Sequence, residues 1–332
     1  MRQLIYFLLI SGSLSAHSKR ETEIQMGVQT FEYRDESRDR PVVVEVWYPT
    51  PEKPQEEQLL PDLWIHPLEV RDAPLASRST PYPLVLISHG HGGYRRDHTW
   101  LAERLVKAGF IVAAVDHYGN TRMMFRPEIT IRFWERAKDI SFALDRLLEN
   151  PFFGSRIDRK RIGFAGYSLG GMTGLALAGG VAGPMEVVIQ KNRFRLPGLS
   201  EEVLKKIDFT EASISHADPR ISAFLLIAPA NFVYQPEGLK GVKAPIGLVS
   251  AINDEVVAHK EHAYTIIQHV VPFKLKVLKK GISHYSFLNR LSDFGKMMLP
   301  ESVRKESPCC PREEIHKEVA DFSVRFFKEV WK

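Results

Sequence analysis

A serine, a histidine and a carboxylate, each at a position where a strand should end, could together make a weak oxygen nucleophile attack a carbonyl. The serine is Ser168, in Gly163-Phe164-Ala165-Gly166-Tyr167-Ser168-Leu169-Gly170-Gly171, whose centre fits the Gly-x-Ser-x-Gly pattern of a nucleophile elbow. Arg161 and Ile162 lead an apolar run into it and residues 172–178 carry good helix formers out of it, so a strand should turn into a helix at the serine. Side chains two positions before or after such a corner would collide with the neighbouring strand and helix, which accounts for the glycines. A serine hydroxyl needs a base, and imidazole is the group poised near neutral pH. His284, in Gly281-Ile282-Ser283-His284-Tyr285-Ser286-Phe287, directly follows the last predicted strand. The base in turn needs a carboxylate to hold its tautomer. Asp254 follows an earlier strand, with Glu255 as the runner-up, whereas the loop Pro229-Ala230-Asn231-Phe232 offers no acid.

An acyl-transfer transition state places charge on a carbonyl oxygen, which backbone amides must meet. One donor should be Leu169, immediately after the serine and beside a helix N-terminus. The second should come from His89-Gly90-His91-Gly92-Gly93, at His91 first and Gly92 next.

These groups must be carried by strand ends on one edge of a sheet. Continuous apolar runs at residues 84–88, 110–116, 221–228 and 246–250 read as buried strands, and 29–33, 41–48 and 273–277 as further strands. Helical spacing marks 98–107, 131–150, 201–207, 259–268 and the amphipathic 313–331. Strand-helix-strand order implies a mostly parallel central sheet flanked by helices, an α/β fold. Residues 51–80, rich in proline and polar groups, read as a long surface loop. Residues 180–217 lose periodicity apart from 201–207 and form an insertion, either a cap over the site or an irregular excursion. With no internal repeat and no linker, residues 17–332 read as one domain.

The first sixteen residues place Arg2 before Leu4-Ile5-Tyr6-Phe7-Leu8-Leu9-Ile10 and then a small-residue stretch ending at Ala16, the layout of a secretory signal peptide. An exported chain is therefore expected. The 45 lysines and arginines against 40 acids are interspersed rather than blocked, which argues against nucleic-acid binding. The apolar insertion and the pI near 9.0 leave peripheral contact with a membrane surface as an open reading. Cys309 and Cys310 are adjacent, so they cannot staple distant segments, and partners at metal-ligand spacing are not evident.

The chain resembles the α/β-hydrolase superfamily, and within it the bacterial dienelactone-hydrolase-like and platelet-activating-factor-acetylhydrolase-like group. The resemblance rests on Ser88-His89-Gly90-His91-Gly92, Asp116-His117-Tyr118-Gly119-Asn120-Thr121, Asp139-Ile140-Ser141-Phe142, the Ser168 elbow, Asp218-Pro219-Arg220 and His284-Tyr285-Ser286-Phe287, and it covers residues 28–290. It implies an α/β-hydrolase fold with Ser168 as nucleophile, Asp254 as acid, His284 as base, and the His91 and Leu169 amides as oxyanion donors. Ser168, Asp254 and His284 stand in the chain order of that fold, at intervals of 86 and 30 residues. Dienelactone hydrolases proper carry cysteine where this chain has serine, which argues against that substrate. The expectation is a serine ester hydrolase of carboxylesterase type, working through an acyl-enzyme on a small-molecule or lipid ester without a cofactor. A phospholipase A2-like acetylhydrolase acting on short or oxidised acyl chains is the narrower alternative. A non-catalytic binding protein on the same fold is the alternative of a different class.

Overall fold

The computed structural model describes residues 24–54, 62–192, 199–279 and 281–332. The segment read as a signal peptide and the inserted residues Phe194 and Leu196 lie outside them. Among the described residues nine strands join in one sheet: β1 Gln25–Asp35, β2 Arg40–Thr50, β3 Val70–Arg71, β4 Tyr82–Ser88, β5 Ile111–Asp116, β6 Ile157–Tyr167, β7 Ala223–Ile227, β8 Ile246–Ala251 and β9 Lys274–Leu278. Their order across the sheet is β3-β1-β2-β5-β4-β6-β7-β8-β9. The pairs from β5 through β9 are parallel, while β2 is antiparallel to both β1 and β5.

The apolar runs are continuous because both faces of the central strands are covered. Leu84, Leu86, Phe164, Phe224 and Leu226 point to one face, where the helices Trp134–Glu149 and Leu169–Leu177 add Ile140, Leu144 and Leu175. Val85, Ile87, Ala165, Leu225 and Ile227, one residue out of phase, meet the helices Thr99–Lys107 and Arg312–Val330 on the other through Leu101, Leu105, Phe322 and Phe326. Period-2 side-chain alternation thus divides each run between two cores. Truncating a fully buried residue such as Leu86 to alanine should cost about 2–5 kcal/mol.

The strands predicted at 29–33 and 273–277 form with shifted bounds. β1 is longer than expected because it pairs with β2 over its whole length, through a turn in which Asp35 accepts from the Ser37 amide and the Arg38 guanidinium. The helix expected at 259–268 shortens to Ala263–Ile267. Within 180–217, read as aperiodic before 201, residues Met185–Asn192 form a helix. Its Met185, Val188 and Ile189 stand at i, i+3 and i+4, a helical stripe too short to register over a long window.

The parallel strands end on one edge. β4 and β6 pair to Ser88↔Gly166, and β6 and β7 to Tyr167↔Ile227, so the loops after β4, β6, β8 and β9 emerge together. In open α/β sheets, ligands bind at this carboxyl-end edge.

Candidate active site

Ser168 sits where β6 turns into the helix Leu169–Leu177, in the strained conformation φ 54°, ψ −115°. A non-glycine residue held there needs surrounding bonds to enforce it. The Ser168 amide donates to the Ile227 carbonyl at 3.0 Å, and the Ser168 carbonyl accepts from the amides of Ala230 and Gly171 at 2.9 Å each. The flanking glycines permit the packing: a Cβ on Gly166 would lie 2.1 Å from the Gly170 carbonyl oxygen, and one on Gly170 would lie 2.0 Å from that of Ser88.

The Ser168 hydroxyl donates to His284 Nε2 at 3.0 Å, and His284 Nδ1 donates to Asp254 Oδ2 at 2.7 Å. Ser168, His284 and Asp254 are 7%, 2% and 4% exposed, so this chain of bonds is nearly sealed from water except at the serine. The other carboxylate oxygen of Asp254 accepts from the amides of Val256 and Val257 at 2.9 and 2.8 Å, which fixes the carboxylate at the end of β8. Glu255, the alternative acid, takes a different place. Its carboxylate accepts the backbone amide of His284 at 3.1 Å and the Ser283 hydroxyl at 2.7 Å, holding the turn instead of the ring.

His284 opens a 3₁₀ turn, His284–Phe287, capped by Ser283. Three neighbours brace it. The Tyr167 hydroxyl donates to the His284 carbonyl at 2.9 Å, and its ring lies 4.9 Å from the imidazole. Burial, followed by the Asp254 charge, pushes the Tyr167 phenol well above its usual range and keeps it a donor. From the helix Arg312–Val330, His316 Nε2 donates to the Leu288 carbonyl at 2.9 Å and the Arg312 guanidinium to the Asn289 carbonyl at 2.9 Å. Sequence reasoning passed over these braces. Tyr167 lay inside the elbow motif itself, but nothing in the spacing linked residues 312 and 316 to a turn some thirty positions earlier.

A cavity of about 370 Å³ opens over the serine. His91 and Leu169 border it beside Ser168, and Phe133, Met172, Val188, Ile189, Phe232 and Val233 make most of its wall apolar. Leu169 starts its helix, so its amide is among the first-turn donors without an intrahelical acceptor, where the helix dipole favours negative charge. The helix Met185–Asn192, from the inserted region, walls the cavity through Met185, Val188 and Ile189. Among the described residues no group of three or more histidines, cysteines, aspartates or glutamates is arranged to hold a metal ion, and no helix is long and apolar enough to cross a membrane. Cys309 and Cys310 are free thiols on a loop away from this cavity.

Residues 67–125 match the sequence profile of platelet-activating factor acetylhydrolase, isoform II. Lipase 1 of Moraxella sp. (strain TA144) is 23% identical over 201 residues, 60% of this chain and 47% of the lipase. Cutinase est1 of Thermobifida alba is 32% identical over 99 residues, 29% of this chain and 30% of the cutinase. The chain thus spans from under a third to about half the length of these relatives. Among solved structures, a ferulic acid esterase from Streptomyces cinnamoneus superposes with a TM-score of 0.60 at 20% identity, covering 95% of this chain and 92% of the esterase. With its mostly parallel sheet, two helical layers and a serine elbow at the carboxyl edge, the chain belongs to the α/β-hydrolase fold.

Proposed function

We propose that this chain is a serine hydrolase of carboxylic esters that works through an acyl-enzyme. The observation that carries the reading is the bonded series Ser168 Oγ to His284 Nε2 to Asp254 Oδ2, at 3.0 and 2.7 Å, with Ser168 lining an apolar cavity. His284 takes the hydroxyl proton as Ser168 Oγ bonds to the ester carbonyl carbon, and the carbonyl oxygen becomes an oxyanion received by the Leu169 and His91 amides. Collapse expels the alcohol, which receives the proton from His284. Water, deprotonated by the same imidazole, then attacks the acyl-serine, and collapse releases the acid as the imidazolium returns the proton to Ser168 Oγ. Asp254 holds the Nδ1–H tautomer and stabilises the imidazolium.

The apolar wall favours an acyl group longer than acetyl, because bringing each additional methylene out of water contributes about 0.8 kcal/mol. The match at residues 67–125 supports a second reading in which the ester belongs to a phospholipid. Met123 and Phe125, 83% and 47% exposed, stand on the loop bordering the cavity and would meet such a lipid surface. Export of the chain is part of the same proposal, and mass determination of the mature N-terminus tests it. The activity is tested with a fluorophosphonate probe and with p-nitrophenyl esters of increasing chain length, alongside short-chain phosphatidylcholine. Labelling and turnover lost in Ser168→Ala and His284→Ala are the expected result. A folded native chain that neither labels nor turns over would leave a binding protein on a hydrolase fold.

A further inference from the structure

Behind the glycine loop lies a second polar system that the acyl-transfer steps do not use. Arg136, on the helix Trp134–Glu149, is 3% exposed, and its guanidinium reaches three segments of the chain. It donates from Nη2 to the Ser88 hydroxyl at 3.1 Å and to the His89 carbonyl, from Nη1 to Asn120 Oδ1 at 2.8 Å, and from Nε to Thr173 Oγ1 at 3.0 Å. Thr173 in turn donates to the Leu169 carbonyl at 3.2 Å, and Asn120 Nδ2 lies 3.3 Å from His91 Nδ1. The two residues whose amides would receive the oxyanion are therefore each one side chain removed from the same cation.

The system continues away from the cavity. The Ser88 hydroxyl lies 2.9 Å from His117 Nε2, His117 Nδ1 lies 3.0 Å from Asp139 Oδ2, and Arg40 grips both oxygens of Asp139 at 2.7 and 2.9 Å. This repeats the serine-histidine-aspartate order of the active site. Ser88, His117 and Asp139 are nevertheless each 0% exposed, and the Ser88 hydroxyl already accepts from Arg136. The second series is an anchor rather than a reaction centre.

What it anchors is the orientation of one peptide. The Gly90 carbonyl accepts from the Gly93 amide at 3.2 Å and from His89 Nδ1 at 2.7 Å, while His89 Nε2 accepts the His117 amide at 3.3 Å. In a trans peptide the carbonyl and the following amide point in opposite directions. Holding the Gly90 carbonyl back in the loop therefore turns the His91 amide the other way, at a residue that borders the cavity with Ser168 and Leu169. Burial pulls Arg136 down to about 9, and lowers His89 well below its usual range, so at neutral pH the first remains a cation and the second a neutral ring with one donor and one acceptor.

We propose that Arg136 is a positioning residue for the oxyanion site: by tying the glycine loop to the nucleophile helix it sets the spacing of the His91 and Leu169 amides. The inference rests on the ester-hydrolase reading. The test compares native protein with Arg136→Met, which keeps the volume and removes the donors, and Arg136→Lys. Turnover of p-nitrophenyl butyrate is measured from pH 5 to 9, with the affinity for an alkyl trifluoromethyl ketone that forms a tetrahedral adduct on a serine. Arg136→Met should lower kcat on the order of 100-fold, the scale of one lost oxyanion donor. KM and the pH midpoint of kcat/KM should stay near native, and adduct affinity should fall in step with kcat. Arg136→Lys should fall between the two. Should Arg136→Met not fold, Thr173→Val, which cuts only the link to the nucleophile helix, should lower kcat roughly tenfold with KM retained. A folded variant with native kcat, or one whose KM and pH midpoint shift together with kcat, overturns the assignment. A native protein that hydrolyses none of the esters removes both readings, whereas an active native protein with an equally active Arg136→Met removes only this one.

Discussion

Replacing Asp254 by asparagine tests the site more sharply than deleting any of its members, because the surrounding bonds dictate what the new side chain must do. One oxygen of Asp254 receives the amides of Val256 and Val257 at 2.9 and 2.8 Å, and only an oxygen can remain there. An asparagine is therefore forced to aim its NH₂ at His284 Nδ1, at the position where Oδ2 now lies 2.7 Å away. A donor facing Nδ1 makes that nitrogen the acceptor and moves the ring proton to Nε2, against the Ser168 hydroxyl. The imidazole then has no lone pair for the serine proton. The expected loss is about 10⁴-fold in kcat, or about 5.5 kcal/mol of barrier, with KM little changed. Stopped-flow turnover of p-nitrophenyl butyrate measures it, with circular dichroism to establish that the variant is folded. Glu255→Gln supplies the contrast. Its remaining carbonyl oxygen can still accept the Ser283 hydroxyl and the His284 amide, so kcat should fall less than about tenfold. If Asp254→Asn keeps more than a tenth of native kcat while Glu255→Gln loses several orders of magnitude, the acid has been assigned to the wrong residue.

Other expectations follow from the same geometry. Gly170→Ala puts a Cβ 2.0 Å from the Ser88 carbonyl oxygen and 2.9 Å from that of His89, both backbone atoms, and should destabilise the fold by about 3 kcal/mol or more in urea denaturation; a loss under about 1 kcal/mol contradicts the close approach. Val188→Trp, on the helix Met185–Asn192, should fill the cavity and cut turnover of p-nitrophenyl octanoate at least about tenfold relative to the acetate, and an unchanged ratio of the two would show that acyl chains bind elsewhere. Acid should unfold the protein early. Burial holds His98, His117 and His316 down to about 3, so between about pH 6.5 and pH 3 the unfolded chain binds protons that the folded chain does not. Stability is complete above that window and falls on acidification, by about 1.4 kcal/mol per pH unit for each such histidine. Asp139, held below its ordinary range by the His117 bond and the Arg40 charge against the opposing pull of its burial, adds a further loss only below about pH 4. Urea midpoints that stay level from pH 7 to pH 5 would contradict this.

The strands that carry the site were legible because they are buried on both faces, so their runs are apolar without interruption, and because glycine spacing marks the strand-to-helix corner where Ser168 adopts positive φ. Asp254 and Glu255 could not be separated from the chain alone, since adjacent residues after a strand point in different directions and only the loop's path decides which meets the ring. The helix Met185–Asn192 escaped because a stripe of three apolar residues carries little periodic signal. The Arg136 system escaped for a deeper reason. Its members come from residues 88, 117, 136 and 139, on two strand ends and one helix, and a buried arginine on a helix face carries no local mark that distinguishes it from a solvated one. Sequence patterns report contacts within an element well, and contacts among three elements poorly.

The bracing of the histidine turn by the helix Arg312–Val330 has a consequence for how activity arises during synthesis. Ser168, Asp254 and His284 all precede that helix in the chain, and Arg312 and His316 grip the Asn289 and Leu288 carbonyls only after the helix has packed on the sheet. A nascent chain emerging from the ribosome therefore carries every reacting group before it carries the clasp that steadies the imidazole. On the ester-hydrolase reading, competence to cleave esters should therefore appear late and abruptly, once that helix docks.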